Sequence, residues 1–206
     1  NEDFQFPSQE QIKTAKEGVG YQHIILNQVD NTVYLTHPDT KISFSAIGKG
    51  YASEKVKELW LANGITSGYI NASGDLTAFG TKPDEKPWQI GISNPDKKQD
   101  ILLYLPINNA AVATSGDYEQ FFIYKNERYS HTINPHTATP IKGIKSVTVI
   151  STNAELSDAL STSIFVKGCK KGIKFANQLP NTHCIIIDEF NQLHFSKQLN
   201  YEQINH

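Results

Sequence analysis

The sequence predicts an α+β fold with an antiparallel sheet and helices packed to one side of it. Two observations lead to this prediction. Short segments rich in β-branched and aromatic residues outnumber the segments with helical spacing, and most of them are separated by short turns of the kind found in hairpins. The chain has 206 residues with a hydrophobic content of 38%, which suffices for one domain or two small ones with a core.

The composition argues against several classes of protein. Lys and Arg total 19 and Asp and Glu total 21, a balance that is not typical of a protein that binds nucleic acid or a membrane surface. No apolar run approaches the roughly 20 residues of a membrane span. Only two cysteines occur, so no disulfide framework is expected. The sequence has no Met, even at position 1, and we therefore expect a mature or trimmed product that has lost any signal peptide or lipid-anchor cysteine.

The N-terminal elements are a helix and a hairpin. Ser8 and Gln11 have the spacing of a capping box at a helix start, and Ile12 and Ala15 are expected to face inward. Two apolar segments joined by a short polar turn then predict a hairpin over residues 21–37.

A strand and a second helix follow. The segment 41–45 predicts a short strand, and the chain after it has Ala52, Val56 and Leu59 at helical spacing, with Trp60 as a further candidate. This spacing predicts a helix with these residues on its apolar face. Asn63-Gly64 is expected to end this helix.

The middle of the chain predicts a run of strands. Tyr69 and Ile70 are expected to be buried at the end of the first of them. The predicted strands occupy 67–72, 76–80, 88–92, 100–107, 110–115, 120–125 and 128–133.

The last quarter predicts a strand, two helices and a hairpin. The helix over 153–168 has the clearest pattern, with a stripe formed by Leu156, Leu160 and Ile164. The other elements are a strand at 145–151, a helix at 170–179 and a hairpin built from 183–188 and 192–196.

Two glycine-containing stretches are candidates for contact with a ligand. Gly48 and Gly50 flank Lys49 between a strand and a helix, where the backbone could approach an anion; an ordinary turn with a surface lysine is the alternative. Asn71, Gly74 and Asp75 interrupt a strand pattern, which fits either a tight turn or a backbone held close to a ligand. The residues leave both alternatives open.

Two further stretches carry polar side chains. Ser115-Gly116-Asp117 could form an oxygen-rich loop, and His131 precedes the fixed turn at Asn134-Pro135. A single histidine is more often structural than catalytic, so a structural role for His131 is the alternative. Asp158 and Thr162 lie four residues apart on one helix face, with Ser161 beside them. Oxygen ligands at this spacing suit Mg2+, which takes one or two carboxylates together with phosphate oxygens. The alternative is a helix with one polar edge, and the spacing of Asp158 and Thr162 by itself favours that alternative.

Taken together and in order, the stretches "SFSAIGKGYA", "YINASGDLTAFG" with "WQIGISNP", "AVATSGDYEQFF" with "RYSHTINPHT", and "SVTVISTNAELSDALSTSIFVKG" resemble the ApbE family of FAD:protein FMN transferases. The resemblance implies one ApbE-like domain over residues 1–206 that corresponds to the C-terminal two-thirds of the usual family length. It also implies an enzyme that binds FAD and Mg2+, cleaves the pyrophosphate, attaches FMN to a Thr or Ser of an acceptor protein and releases AMP.

The resemblance further implies partners and a location. The acceptor is expected to be a redox-pump or electron-transfer subunit, and no nucleic acid is expected. The protein is expected in the periplasm or on the outer face of the cytoplasmic membrane, where relatives are often lipoproteins.

The resemblance assigns roles to individual residues. His131 is the expected base that takes the proton of the acceptor hydroxyl. The expected Mg2+ ligands are the carbonyl of Ala46 and the side chains of Asp158, Ser161 and Thr162. The expected contacts with FAD are Ser43, Lys49, Asn71, Gly74, Asp75, Ser115, Gly116, Asp117, Thr132 and Ile133.

The chain departs from the family pattern at two positions. Relatives usually carry Asp at the position of Ser43 and often an acidic residue at that of Ser161, and they extend further at the N-terminus. These departures favour an alternative function, an FAD-binding module without transfer activity. A further alternative is an FAD pyrophosphatase, which would use the same site with water as the acceptor.

Overall fold

The computed structural model of the chain describes residues 6–97, 99–117, 121–124 and 127–203. In these residues the chain forms helices and strands whose order agrees with the predicted α+β class. The helices are α1 (Gln9–Glu17), α2 (Gly48–Ala62), α3 (Ala154–Lys167) and α4 (Cys169–Ala176). The strands are β1 (Ile24–Asn27), β2 (Thr32–Leu35), β3 (Gly68–Ala72), β4 (Asp75–Phe79), β5 (Trp88–Ser93), β6 (Ile101–Ile107), β7 (Ala110–Gly116), β8 (Phe121–Tyr124), β9 (Glu127–Ser130), β10 (Ile133–Asn134), β11 (Thr139–Pro140), β12 (Ile144–Ser151), β13 (His183–Asp188), β14 (Leu193–Phe195) and β15 (Glu202–Gln203).

A six-stranded antiparallel sheet organises the molecule, with the strand order β14-β13-β12-β7-β4-β3. Helices α2, α3 and α4 pack on one of its faces, and a three-stranded sheet of order β15-β6-β5 packs on the other. The prediction of an antiparallel sheet with helices on one side is confirmed.

The two faces of β13 show why both layers form. Cys184 and Ile186 pack toward the helices, whereas Ile185 packs toward the second sheet, because successive side chains of a strand point to opposite faces. The run of four apolar residues in the middle of β13 is therefore buried on both sides.

Helix α3 supplies Asp158 and Thr162 to the site described below. Asn153 caps it by accepting a hydrogen bond from the backbone N–H of Leu156 at 3.0 Å. Leu160 and Ile164 are buried as predicted, but Leu156 is exposed. The buried face continues instead through Ser157, Asp158 and Ser161, and therefore includes polar residues.

Three predictions about helices and strands near the N-terminus were wrong. Helix α1 begins with the predicted capping box but buries no residue, and Ala15 is exposed because α1 lies at the periphery. Residues 41–44 form no strand; the backbone N–H of Ser45 instead donates to the hydroxyl of Ser43. On α2 the buried residues are Gly50, Ser53 and Glu54, whereas Ala52 and Leu59 are exposed.

Two predictions in the middle of the chain were also wrong. Tyr69 is 51% exposed because β3 is the edge strand of the sheet. The predicted strand over 128–133 is divided, since β9 pairs with β8 and β10 pairs with β11. His131 and Thr132 therefore lie in the junction between two strands. Parts of the predicted strand 120–125 lie outside the described residues.

Within the described residues, none of the helices has both the length and the apolar character needed to cross a bilayer.

Candidate active site

A cavity of about 390 Å³ lies where the start of α2, the end of β7, the junction between β9 and β10, and α3 meet. It brings together residues from four separate parts of the sequence, and most of them are predicted site residues. The cavity is lined by Ser45, Ala46, Lys49, Thr114, Ser115, Gly116, His131, Thr132, Asp158 and Thr162.

Asp158 is the one carboxylate among the residues that line this cavity. The residue is only 4% exposed, and its Oδ2 accepts a hydrogen bond from the backbone N–H of Gly50 at 3.0 Å. Its Oδ1 accepts no hydrogen bond from the described residues. The side chain is thus fixed through one oxygen while the other remains available for a ligand in the cavity.

Gly50 permits this contact by allowing α2 and α3 to approach closely. A Cβ atom at this position would lie 2.7 Å from the carbonyl carbon of Ala154, a distance that ordinary packing does not allow. Gly48, by contrast, has open space around it. Gly50 therefore approaches the backbone of α3, and the predicted approach of this glycine pair to an anion stays a prediction.

Lys49 is held at the cavity by an ion pair with Asp75. Its Nζ lies 3.0 Å from Oδ2 of Asp75, whose side chain is 3% exposed. The other carboxylate oxygen accepts a hydrogen bond from the backbone N–H of Thr114 at 3.3 Å. Burial raises the pKa of the Asp75 carboxyl above its ordinary value, and the hydrogen bond and charge of Lys49 oppose that shift. Asp75 therefore acts on the cavity through Lys49.

Three hydroxyl groups join β7 to α3 beside Asp158. Oγ of Ser115 lies 2.7 Å from Oγ of Ser161 and 3.1 Å from Oγ1 of Thr162. Ser161 also donates to the backbone carbonyl of Asp158 at 2.8 Å. Ser161 is buried and is not among the lining residues, whereas Ser115 and Thr162 are.

His131 lies at the open side of the cavity, and its side chain is exposed. Its Nε2 is 3.4 Å from Oγ1 of Thr132, and the backbone N–H of Thr132 donates to Oγ of Ser130 at 3.1 Å. The exposed imidazole can therefore meet a group that enters the cavity from solvent.

Some predicted site residues lie elsewhere. Asn71 and Gly74 line a second cavity of about 260 Å³ against the three-stranded sheet, which shares Thr114 with the first. Asn71 Oδ1 accepts from the backbone N–H of Gly74 at 2.9 Å, and Ser73 and Gly74 have φ angles of 56° and 100°. The tight-turn interpretation of this stretch is therefore the one that the local geometry supports.

Three further predicted FAD contacts do not line the first cavity. Ser43 is exposed and bonds to Ser45, and Ile133 is 47% exposed. Asp117 lies beyond the end of β7 beside a separate pocket that also contains Ser130 and Glu189.

No sequence pattern singled out Glu54, which is buried on α2 and accepts a hydrogen bond from the backbone N–H of Ala154 at 3.0 Å. Thr114 and Ser45 were also missed as lining residues, although each adjoins a predicted one.

The donor groups of the cavity fit Mg2+. Within the described ranges, no group of three or more His, Cys, Asp or Glu side chains is placed to hold a metal ion. Mg2+ does not need such a group, because it keeps several waters and takes one or two carboxylates together with substrate phosphates. Asp158, Thr162 and Ala46 offer a carboxylate, a hydroxyl and a carbonyl around the same cavity.

Comparison with known proteins identifies the family. A sequence model described as the ApbE family matches residues 1–186. The chain belongs to the ApbE family. The resemblance inferred from the four stretches is thereby confirmed.

Curated relatives in the ApbE family carry the name FAD:protein FMN transferase. The Escherichia coli K12 protein is 34% identical over 171 residues, which cover 81% of this chain and 49% of that protein. A Vibrio cholerae protein is 30% identical over 178 residues, covering 84% of this chain and 53% of its own length. The chain thus spans about half the length of these two relatives.

Solved ApbE structures share the fold. The ApbE protein from Thermotoga maritima matches with a TM-score of 0.87 and 33% identity, covering 95% of this chain and 64% of that one. The apo form of Pseudomonas stutzeri flavinyl transferase ApbE matches with a TM-score of 0.81 and 30% identity. The match covers 94% of this chain and 60% of the Pseudomonas stutzeri chain.

Proposed function

We propose that this chain carries out the Mg2+-dependent transfer of FMN from FAD to a Thr or Ser hydroxyl of an acceptor protein, with release of AMP. One observation supports the proposal above all. A single cavity joins a lysine, a histidine and a buried carboxylate that come from distant parts of the sequence: Lys49, His131 and Asp158. The curated relatives that the chain matches are named for this transfer.

Asp158, Thr162 and the carbonyl of Ala46 would hold Mg2+, which when bound offsets negative charge on phosphate oxygens. The hydrogen bond from Gly50 to Oδ2 of Asp158 orients the carboxylate before any ligand arrives. Preorganised groups of this kind contribute to catalysis because they need little rearrangement during the reaction.

Lys49 binds a pyrophosphate oxygen of FAD in this proposal. The carboxylate of Asp75 holds the ammonium group at the cavity, so the long side chain loses less conformational freedom when the substrate binds. The cation then stabilises the charge that builds up on the pyrophosphate as AMP leaves.

His131 takes the proton from the acceptor hydroxyl. The hydroxyl oxygen forms a bond to the phosphorus of the FMN half, and the bond from that phosphorus to the bridging oxygen breaks. The electron pair leaves with AMP, and the proton stays on the imidazole until solvent removes it. The exposed position of His131 suits a base that meets a second protein.

The test is flavin transfer itself. The protein is incubated with FAD, Mg2+ and an acceptor domain, and flavin fluorescence of the acceptor is measured after denaturing electrophoresis. We expect His131→Ala to lower the initial rate about 100- to 10,000-fold, as removal of a general base does. Asp158→Asn should lower it about 100-fold or more, since charge stabilisation by a metal is worth several kcal/mol.

Matched controls are available close in sequence or chemistry. His136→Ala removes an exposed imidazole outside the cavity, and Asp84→Asn removes an exposed carboxylate; both should transfer flavin at the wild-type rate. Labelling that persists in His131→Ala and Asp158→Asn would contradict the site assignment. Release of FMN and AMP without labelled acceptor would indicate a pyrophosphatase, and FAD binding without products would indicate a binding module.

A further inference from the structure

The N-terminus of each of the helices α2 and α3 is capped by a carboxylate side chain of the other helix. The first turn of α2 has no side-chain cap from its own N-cap residue, Ile47, but the backbone N–H of Gly50 donates to Oδ2 of Asp158 on α3 at 3.0 Å. In return, the backbone N–H of Ala154, the first residue of α3, donates to Oε2 of Glu54 on α2 at 3.0 Å. Each helix therefore satisfies a backbone donor of the other that has no partner inside its own helix.

Glu54 makes its contact from a buried position. The residue is only 8% exposed, and its second oxygen, Oε1, pairs with the ammonium group of Lys57 one turn further along α2. A buried carboxylate is costly unless its oxygens are hydrogen-bonded or paired with a cation, and here both conditions are met. The carboxylate also lies at the N-terminus of α3, where the helix dipole favours negative charge.

The two contacts together fix the register between the helices. Gly50 and Glu54 are one turn apart on α2, and their partners Asp158 and Ala154 are one turn apart on α3. Two hydrogen bonds separated by a full turn on both helices restrict sliding and rotation of α3 against α2. The missing side chain of Gly50 allows the backbones to come close enough for both bonds.

We propose that Glu54 is a positioning residue for divalent cation binding. It holds the N-terminus of α3 through Ala154, and so sets the place of the Asp158 carboxylate one turn later. This inference rests on the proposed function, because it assumes that Asp158 ligates the cation. Groups that orient metal ligands typically contribute about 10- to 100-fold to metal affinity.

The test measures binding of Mn2+ alone, followed by the electron paramagnetic resonance signal of the free ion, with no FAD or acceptor present. Glu54→Ala removes the acceptor of the Ala154 N–H, and we expect it to weaken Mn2+ binding about tenfold or more. Glu54→Gln keeps an oxygen at the same reach and should remain within about threefold of wild type. Glu58→Ala, on the same helix but in an exposed pair with Lys55, should leave the affinity unchanged.

A purely structural role for Glu54 predicts a different result. Glu54→Ala would then lower the melting temperature while the folded protein bound Mn2+ as tightly as wild type, which would overturn this inference alone. If Glu54→Ala does not fold, Glu54→Asp replaces it: the charge is kept but the reach is one methylene shorter. Weaker binding in Glu54→Asp than in Glu54→Gln supports the inference, and equal or reversed affinities overturn it. Absence of Mn2+ binding by the wild-type protein would overturn the metal site and this inference together.

Discussion

Two aspartates near the same cavity illustrate how surroundings assign roles to identical side chains. Asp75 is paired with Lys49 and hydrogen-bonded to Thr114, so both of its oxygens have partners. Asp158 has one oxygen bound by Gly50 and one available to the cavity. Only Asp158 can therefore ligate a cation without first losing an existing partner.

The two cysteines also differ in their surroundings, because Cys184 is buried and Cys169 is partly exposed, and this difference predicts their reactivity. Burial raises the pKa of the Cys184 thiol to about 12. Cys169 is partly exposed, and burial together with the charge of Asp188 raises the pKa of its thiol above the ordinary value. Since the thiolate is the nucleophile, the raised pKa keeps Cys184 almost entirely in its unreactive thiol form at pH 8. We expect iodoacetamide at pH 8 to modify Cys169 slowly and Cys184 not at all in the folded protein, as measured by peptide mass spectrometry.

Unfolding in urea provides the control for this prediction. Both cysteines should then be modified at similar rates, because the burial that raises the pKa of Cys184 is lost. Modification of Cys184 in the native protein as fast as Cys169 would contradict the buried position that the structure gives it.

At the scale of elements, the contact between α2 and α3 is the feature that assembles the cavity. Lys49 comes from the first helix and Asp158 from the second, and their separation depends on how closely the helices approach. The small residues on the buried face of α2 permit that approach.

The two glycines beside Lys49 should therefore respond oppositely to the same substitution. Gly50→Ala forces a methyl group against the backbone of Ala154, and we expect a loss of about 1–3 kcal/mol in the free energy of unfolding. Gly48→Ala has open space and a helical position, so it should be neutral or stabilise by up to about 1 kcal/mol. Urea unfolding followed by circular dichroism measures both, and equal stabilities of the two variants would contradict the proposed helix contact.

At the scale of the whole molecule, the six-stranded sheet is shared by two cores. One core lies between this sheet and the helices, and the other lies between it and the three-stranded sheet. Because the same strands supply residues to both cores, we expect the two layers to unfold together.

Adjacent isoleucines of β13 test this expectation. Ile185 and Ile186 are both almost fully buried, but they face the second sheet and the helices respectively. We expect Ile185→Ala and Ile186→Ala each to cost about 2–5 kcal/mol in urea unfolding, with one cooperative transition in both variants. Ile123→Ala, at a position that is 67% exposed, should change the stability by less than about 0.5 kcal/mol. Separate unfolding transitions for the two layers would contradict a shared sheet. So would a small loss in the free energy of unfolding for Ile185→Ala or Ile186→Ala.

The sequence by itself determined the class of fold, most strands and the presence and order of the helices. These features depend on neighbouring residues, such as the capping side chain of Asn153 and the continuous apolar run of β13. The family could also be identified from the sequence, because the four motifs occur in a fixed order. The roles of the individual site residues stay predictions that the proposed variants test.

Only the tertiary structure decided which helix faces are buried and which polar residues meet. Helical spacing favoured Ala52 and Leu59 as the inward face of α2, yet close contact with the backbone of α3 requires small residues there and selects Gly50 and Ser53. Glu54 likewise gains its partner from a helix 100 positions further along the chain. Such contacts depend on the positions of two elements relative to each other, which local sequence patterns do not encode.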